Sequence, residues 1–216
     1  MPRRDAAVVG ALALLTAVVF VLMAIPAAFA QIQKIDDWFL RQMVSIRSGT
    51  LTAVAKFFNF LGLVEVTLPV RIAIAVFLAI RRRWWHFAAF ASAIVVSEAL
   101  IGPLKALYDR PRAPGSLVLT SGASFPSGHA VAASVTAVAA VIALLPEGSK
   151  RYAWGAAAVA FSMVMGLSRA YLAAHWLSDA VAGVLLGTTV ALGTALVVHV
   201  IRERRGARRR AEPIAG

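Results

Sequence analysis

Long apolar runs separated by short polar segments account for most of the chain. The first run covers residues 6–30, behind Arg3 and Arg4. The second covers 61–80 and is stopped by Arg81-Arg82-Arg83, after which Trp84 and Trp85 stand where an interfacial aromatic belt belongs. Further runs cover 88–107, 130–145, 152–167 and 180–201. Each is close to the roughly 20 residues with which a helix crosses the hydrocarbon core. The pattern predicts an all-α integral membrane bundle of six transmembrane helices. It forms a single domain over 1–216, with a basic tail at about 202–216.

Two segments depart from a plain span. Residues 6–30 end in Ala28-Phe29-Ala30, which resembles a signal-peptide cleavage site. The run is too long for a signal h-region of 7–15 residues, so an uncleaved first span is expected. Residues 31–59 are mixed: Trp38, Phe39, Leu40 and Met43 alternate with Asp36, Asp37, Arg41 and Arg47 at near-helical spacing. Two readings fit: an amphipathic helix on the membrane surface, or a connecting loop with an aromatic anchor.

Composition excludes a soluble protein. The chain is 60% apolar and 15% charged, with a mean hydropathy of +0.79. Soluble domains run at about 45–50% and about 25%. The net charge of +12 would suggest nucleic acid in a soluble chain. Here it follows the spans. Thirteen Lys and Arg fall on one side, in the N-terminus, 81–83, 150–151 and the tail, against eight on the other. The positive-inside rule then puts both termini in the cytoplasm. The excess also suits anionic headgroups, and no nucleic-acid partner is expected. Eighteen Arg against four Lys, with many Ala, hint at a GC-rich bacterial genome and hence a bacterial plasma membrane. The chain has no cysteine, so disulfide and thiolate chemistry are out.

The polar residues between the later spans carry the chemistry. Lys105 and Arg112 follow the third span, Ser127, Gly128 and His129 open the fourth, Arg169 ends the fifth, and His175 and Asp179 begin the sixth. The predicted topology puts all of them on the outer face. Lys105, Arg112 and Arg169 supply three positive charges, and Arg presents a fork suited to phosphate oxygens. Ser127 adds a hydroxyl, and Gly128 lets a phosphate approach backbone N–H groups at a helix N-terminus. His175 and Asp179, at i and i+4, share a helix face. The carboxylate can hold one ring nitrogen and present the other as a nucleophile, with His129 as general acid. This set suits phosphoryl transfer through a phosphohistidine. No outer cluster of Asp and Glu stands out for a metal, so neither metal nor cofactor is expected.

Lys105-x6-Arg112, Pro126-Ser127-Gly128-His129 and Ser168-Arg169-x5-His175-x3-Asp179 together resemble the three signatures of the type 2 phosphatidic acid phosphatase (PAP2) superfamily. That superfamily includes polyprenyl-diphosphate phosphatases and vanadium haloperoxidases. The resemblance implies His175 as nucleophile, Asp179 as its orienter and His129 as acid. It implies Lys105, Arg112, Ser127, Gly128 and Arg169 as phosphate binders, and no metal. One departure is Ala113, where the family usually has Pro; it opens a choice of register between Arg112 and Arg110, which the spacing resolves toward Arg112.

The expected function is therefore hydrolysis of a lipid phosphomonoester or diphosphate at the outer face, a polyprenyl diphosphate first. Phosphatidylglycerol phosphate and phosphatidic acid are alternatives. A non-catalytic lipid-phosphate binder or transporter and a vanadate-dependent oxidase are rivals of other classes. The partners implied are the lipid substrate and the bilayer. Outside the motifs, Arg71 and Glu98 lie at similar depth in adjacent spans, and a buried ion pair between them is expected. His86 and His199 read as packing or interfacial residues, and Asp109 as a loop partner of Arg110 or Arg112. Tyr171 and Trp176 read as pocket walls or headgroup anchors.

Overall fold

The computed structural model describes residues 3–211; residues 212–216 of the basic tail, like residues 1–2, lie outside the described residues. Among those described there are eight helices and no strand. They are α1 (Arg3–Ala24), α2 (Pro26–Ser45), α3 (Gly49–Leu61), α4 (Val64–Ile80), α5 (Trp84–Tyr108), α6 (Gly128–Leu144), α7 (Ser149–Tyr171) and α8 (Leu177–Ala211).

The breaks have local causes. Ile25 is extended (φ −90°, ψ 116°), and Pro26 starts α2, where its fixed φ and missing N–H cost nothing. The first span thus ends earlier than its apolar run. Ser48 caps α3 by accepting from the Leu51 N–H at 3.2 Å. Asp109 ends α5 in the left-handed region (φ 35°). The mixed segment 31–59 is helical, shared between α2 and α3 with a turn at 46–48.

Among the described residues four helices are long and apolar enough to cross a membrane: Asp5–Ala24, Trp84–Tyr108, Ser149–Tyr171 and Leu177–Arg208. The second expected span, 61–80, is α4, which with α3 before it makes a pair bent by 49°; counting that pair as one span gives five. α6 is apolar but shorter, at 17 residues. The six expected runs are all helical, but their lengths differ. α6 can be short because protein, not lipid, surrounds it: Val131, Val135, Val138 and Ala139 are buried against Leu78, Phe90, Leu186 and Val190. The large side chains left exposed on the outer helices, such as Leu14, Val95 and Val197, are apolar, as a lipid-facing surface requires.

Small residues set the closest packing. A Cβ at Gly187 would overlap the Ser134 hydroxyl and lie 2.6 Å from the Val131 carbonyl oxygen. One at Gly183 would lie 2.7 Å from the Ser127 carbonyl oxygen. These two glycines, four apart on α8, let it press against the start of α6. That contact brings the opening turns of α6 and α8 together.

The expected pair forms, with Arg71 buried but the Glu98 side chain 53% exposed on the bundle's surface: Arg71 Nη1 donates to Glu98 Oε1 at 2.7 Å, and Arg71 Nε donates to Thr136 Oγ1 at 2.9 Å, tying α4, α5 and α6. At one end of the bundle Arg83 donates to the Leu144 carbonyl (3.3 Å), Arg205 lies over Trp85, and His199 meets Glu203 at 3.0 Å. The three sequence motifs meet at the other end.

Candidate active site

Backbone pairing builds the site from four chain segments. The Ser124 N–H donates to the Arg110 carbonyl (2.8 Å), and the Ser127 N–H donates to that of Asp179 (3.0 Å). The loop after α5 is thereby held against the first turn of α8. After α7, Ala173 takes a left-handed conformation (φ 53°), and the N–H groups of Ala174 and His175 return to the Arg169 carbonyl at 3.0 and 3.3 Å. This tight return carries His175 back over the end of α7.

The His175 ring is fixed from both sides. Its Nδ1 lies 3.4 Å from Asp179 Oδ2, and its Nε2 lies 3.3 Å from Arg112 Nη1. A guanidinium only donates, so Nε2 carries the lone pair and Nδ1 the proton. The ring is 3% exposed. Burial pushes its pKa down from 6.5 to about 4, outweighing the opposing pull of Asp179. The imidazole is therefore neutral at pH 7.

Asp179 is fully buried and saturated with donors. Its Oδ1 accepts from Arg110 Nη1 at 2.6 Å; its Oδ2 accepts from the Trp176 N–H at 2.9 Å and from the Ser124 hydroxyl. Arg110 continues the chain inward. Its Nη2 donates to Asp36 Oδ2 and Gln33 Oε1, both at 2.6 Å, and its guanidinium lies between the Phe29 and Trp176 rings. Asp36 also accepts from the Ser178 N–H (2.9 Å) and hydroxyl (2.6 Å). A line of buried groups thus runs from Asp36 through Arg110 and Asp179 to His175.

The three cations are each held by oxygens of the protein. Arg112 is held by the carbonyls of Ser121 (2.6 Å), Gly122 (2.9 Å) and Ala174 (2.8 Å). Lys105 donates to the carbonyl of Ala123. Arg169 donates from Nη1 to Asn59 Oδ1. Three buried polar atoms here have no hydrogen-bond partner: Ser127 Oγ, His129 Nε2 and Arg169 Nε. A Cβ at Gly128 would meet nothing within 4 Å. Buried polar atoms left without partners beside fixed cations have hydrogen-bonding capacity that an anion could take up. Among the described residues no group of three or more His, Asp or Glu could hold a metal ion.

The structure brings together all eight residues singled out by sequence. Arg112 is the arginine beside His175, whereas Arg110 stands behind Asp179. The ion pair expected for Asp109 is replaced: Arg110 turns to Asp36 and Asp179. Tyr171 bonds Thr52 and Ser48, and the Trp176 ring N–H donates to the Pro111 carbonyl, so both act as framework. Sequence reasoning missed Gln33, Asp36, Asn59, Ser124 and Ser178.

Comparison with known proteins gives the family. The family model of the PAP2 superfamily matches residues 84–203, more than half of the chain. The chain belongs to the PAP2 superfamily. Phosphatidylglycerophosphatase B of Bacillus subtilis is 29% identical over 174 residues, 78% of this chain and 85% of that protein. The crystal structure of a transmembrane PAP2-type phosphatidylglycerolphosphate phosphatase from Bacillus subtilis aligns with a TM-score of 0.74 and 25% identity. It covers 91% of this chain and 96% of that one. The structure of LpxE from Aquifex aeolicus shares the fold, with a TM-score of 0.59 and 23% identity over 72% of this chain and 91% of that one. This PAP2 protein is a membrane lipid phosphatase.

Proposed function

We propose that the chain removes phosphate from a lipid at the outer face of a bacterial plasma membrane, through a phosphohistidine on His175, with both termini in the cytoplasm. The observation that carries this reading is the buried imidazole held between Asp179 Oδ2 at Nδ1 and Arg112 Nη1 at Nε2, with unpartnered polar atoms on Ser127, His129 and Arg169. In the first step Nε2 attacks phosphorus, the bond to the lipid oxygen breaks, and that oxygen takes a proton from His129. Asp179 offsets the positive charge left on the ring. Lys105, Arg112, Arg169, Ser127 and the Gly128 backbone hold the phosphate oxygens. In the second step His129, now neutral, takes a proton from water. The water oxygen attacks phosphorus, the P–N bond breaks, and inorganic phosphate leaves.

The lipid proposed first is a polyprenyl diphosphate: a cationic seat beside a lipid-facing surface suits a phosphate whose tail stays in the bilayer. Phosphatidylglycerol phosphate is the second reading, favoured by the names of the two Bacillus subtilis relatives. The test is phosphate release by purified protein in detergent with EDTA, from both lipids and from phosphatidic acid. Release abolished in His175→Ala, with an acid-labile phosphoryl group trapped on the wild-type chain, is the expected result. Unchanged release in His175→Ala refutes the mechanism, and the faster lipid decides the substrate.

A further inference from the structure

The bend between α3 and α4 lies outside the residues matched by the family model, 84–203, yet it touches two site residues at once. Asn59, in the last turn of α3, accepts through Oδ1 from Arg169 Nη1. Its carbonyl receives the Gly62 N–H at 3.2 Å. Gly62 caps α3 with φ −88° and ψ −4°, angles open to any residue. What excludes a side chain is space: a Cβ there would overlap His129 Cδ2 and lie 3.1 Å from Cγ. The glycine is buried, so the ring has no free volume to retreat into on that side.

We infer that this elbow is a positioning element of the reaction: the bare backbone at Gly62 sets the place of the His129 ring, and the Asn59 side chain aims the Arg169 guanidinium. The inference rests on the proposed roles of His129 and Arg169. The two halves have different kinetic signatures. A displaced proton donor slows turnover, whereas a loosened guanidinium weakens the hold on phosphate. Asn59→Ala leaves Gly62 in place, so the contact on His129 survives in it.

The experiment is a pair of double-mutant cycles on phosphate release from phosphatidylglycerol phosphate in detergent, with thermal unfolding as the check on folding. Gly62→Ala should lower kcat at least 30-fold with KM within threefold. In a His129→Ala background, where the overlapping ring is gone, it should cost less than threefold. Asn59→Ala should raise KM at least tenfold, and less than threefold in an Arg169→Ala background. Equal losses in both backgrounds, or no loss, overturn the inference. A Gly62→Ala chain that folds only when His129→Ala accompanies it supports the steric contact, and the Asn59 cycle then decides the kinetic role. His175→Ala in the same series reports separately on the phosphohistidine: full activity there refutes the mechanism while leaving both cycles readable.

Discussion

Replacing Arg110 by Met is the sharpest test of the buried network. The guanidinium is 3% exposed and holds two carboxylates, Asp36 and Asp179, each at 2.6 Å and themselves 1% and 0% exposed. Met keeps much of the side-chain volume between Phe29 and Trp176 but supplies no charge. Two buried carboxylates then face each other's charge with their shared cation gone. Breaking a buried pair by removing one partner costs about 3–5 kcal/mol. For a chain of this size that lowers Tm by roughly 6–20 °C. Asp36→Asn should cost less, because Arg110 keeps Asp179 as counter-charge and the amide oxygen still accepts. In the double variant Arg110→Met, Asp36→Leu part of the loss should return, since one uncompensated carboxylate goes with its cation. The assay is tryptophan fluorescence during thermal unfolding in one detergent at one scan rate; Trp176 reports from beside the network. A shift below 3 °C for Arg110→Met, or an equal shift for Asp36→Asn, would refute the reasoning.

Three more expectations follow from the geometry. The chain has four histidines, so carbon-13 imidazole NMR can resolve them, with His175→Gln assigning one signal; that signal should titrate near pH 4. Because the folded pKa lies below the ordinary 6.5, the unfolded chain binds this proton first. The stability from the neutral ring is complete above pH 6.5 and drains away as pH falls toward 4, and a midpoint at 6 or above would contradict the burial argument. Gly187→Ala should destabilise by about 2–3 kcal/mol, read as a lowered Tm, because the added methyl meets the Ser134 hydroxyl and α6 backbone. A neutral substitution would show that α8 can shift away from α6. Glu98→Ala should lower the unfolding temperature by more than the double variant Arg71→Met, Glu98→Met does, because the single change leaves the Arg71 cation unpaired.

The parts of this molecule legible in the sequence are those whose signal is local. Apolar runs mark helices wherever they fall, and three motifs place their own residues on known turns. The Arg71–Glu98 pair was legible because ionisable residues at matched depth stand out against an apolar background. Asp36 carried no such mark. It sits next to Asp37 in a mixed segment and looks like a solvated acid, while its partners Arg110 and Ser178 lie 74 and 142 residues away. A faint signal does exist. Phe29, Gln33, Asp36, Leu40 and Met43 repeat at spacings of four and three, a stripe that faces one neighbour along a helix. In the structure Phe29, Leu40 and Met43 pack against buried clusters, and Gln33 and Asp36 meet Arg110. Two polar members disguised an inward face as a surface one. The bend that presents Asn59 and Gly62 was illegible for another reason. Residues 49–80 are apolar through the break, and which way a chain folds at a glycine is decided by what packs on it.

Helix length adds a dimension to the catalytic end. At the end away from the motifs α5 and α6 lie at a common level, marked by Arg83 reaching the Leu144 carbonyl. From there α5 climbs through 25 residues and α6 through only 17, about 38 Å against about 26 Å at ~1.5 Å per residue. The difference, about 12 Å, falls at the end where the motifs meet. No helix fills it: the chain crosses it as the irregular segment 109–127. Arg110, Arg112 and Ser124 therefore come to Asp179 and His175 from a loop held by its own backbone bonds, and the stiffness of that loop sets how precisely they arrive.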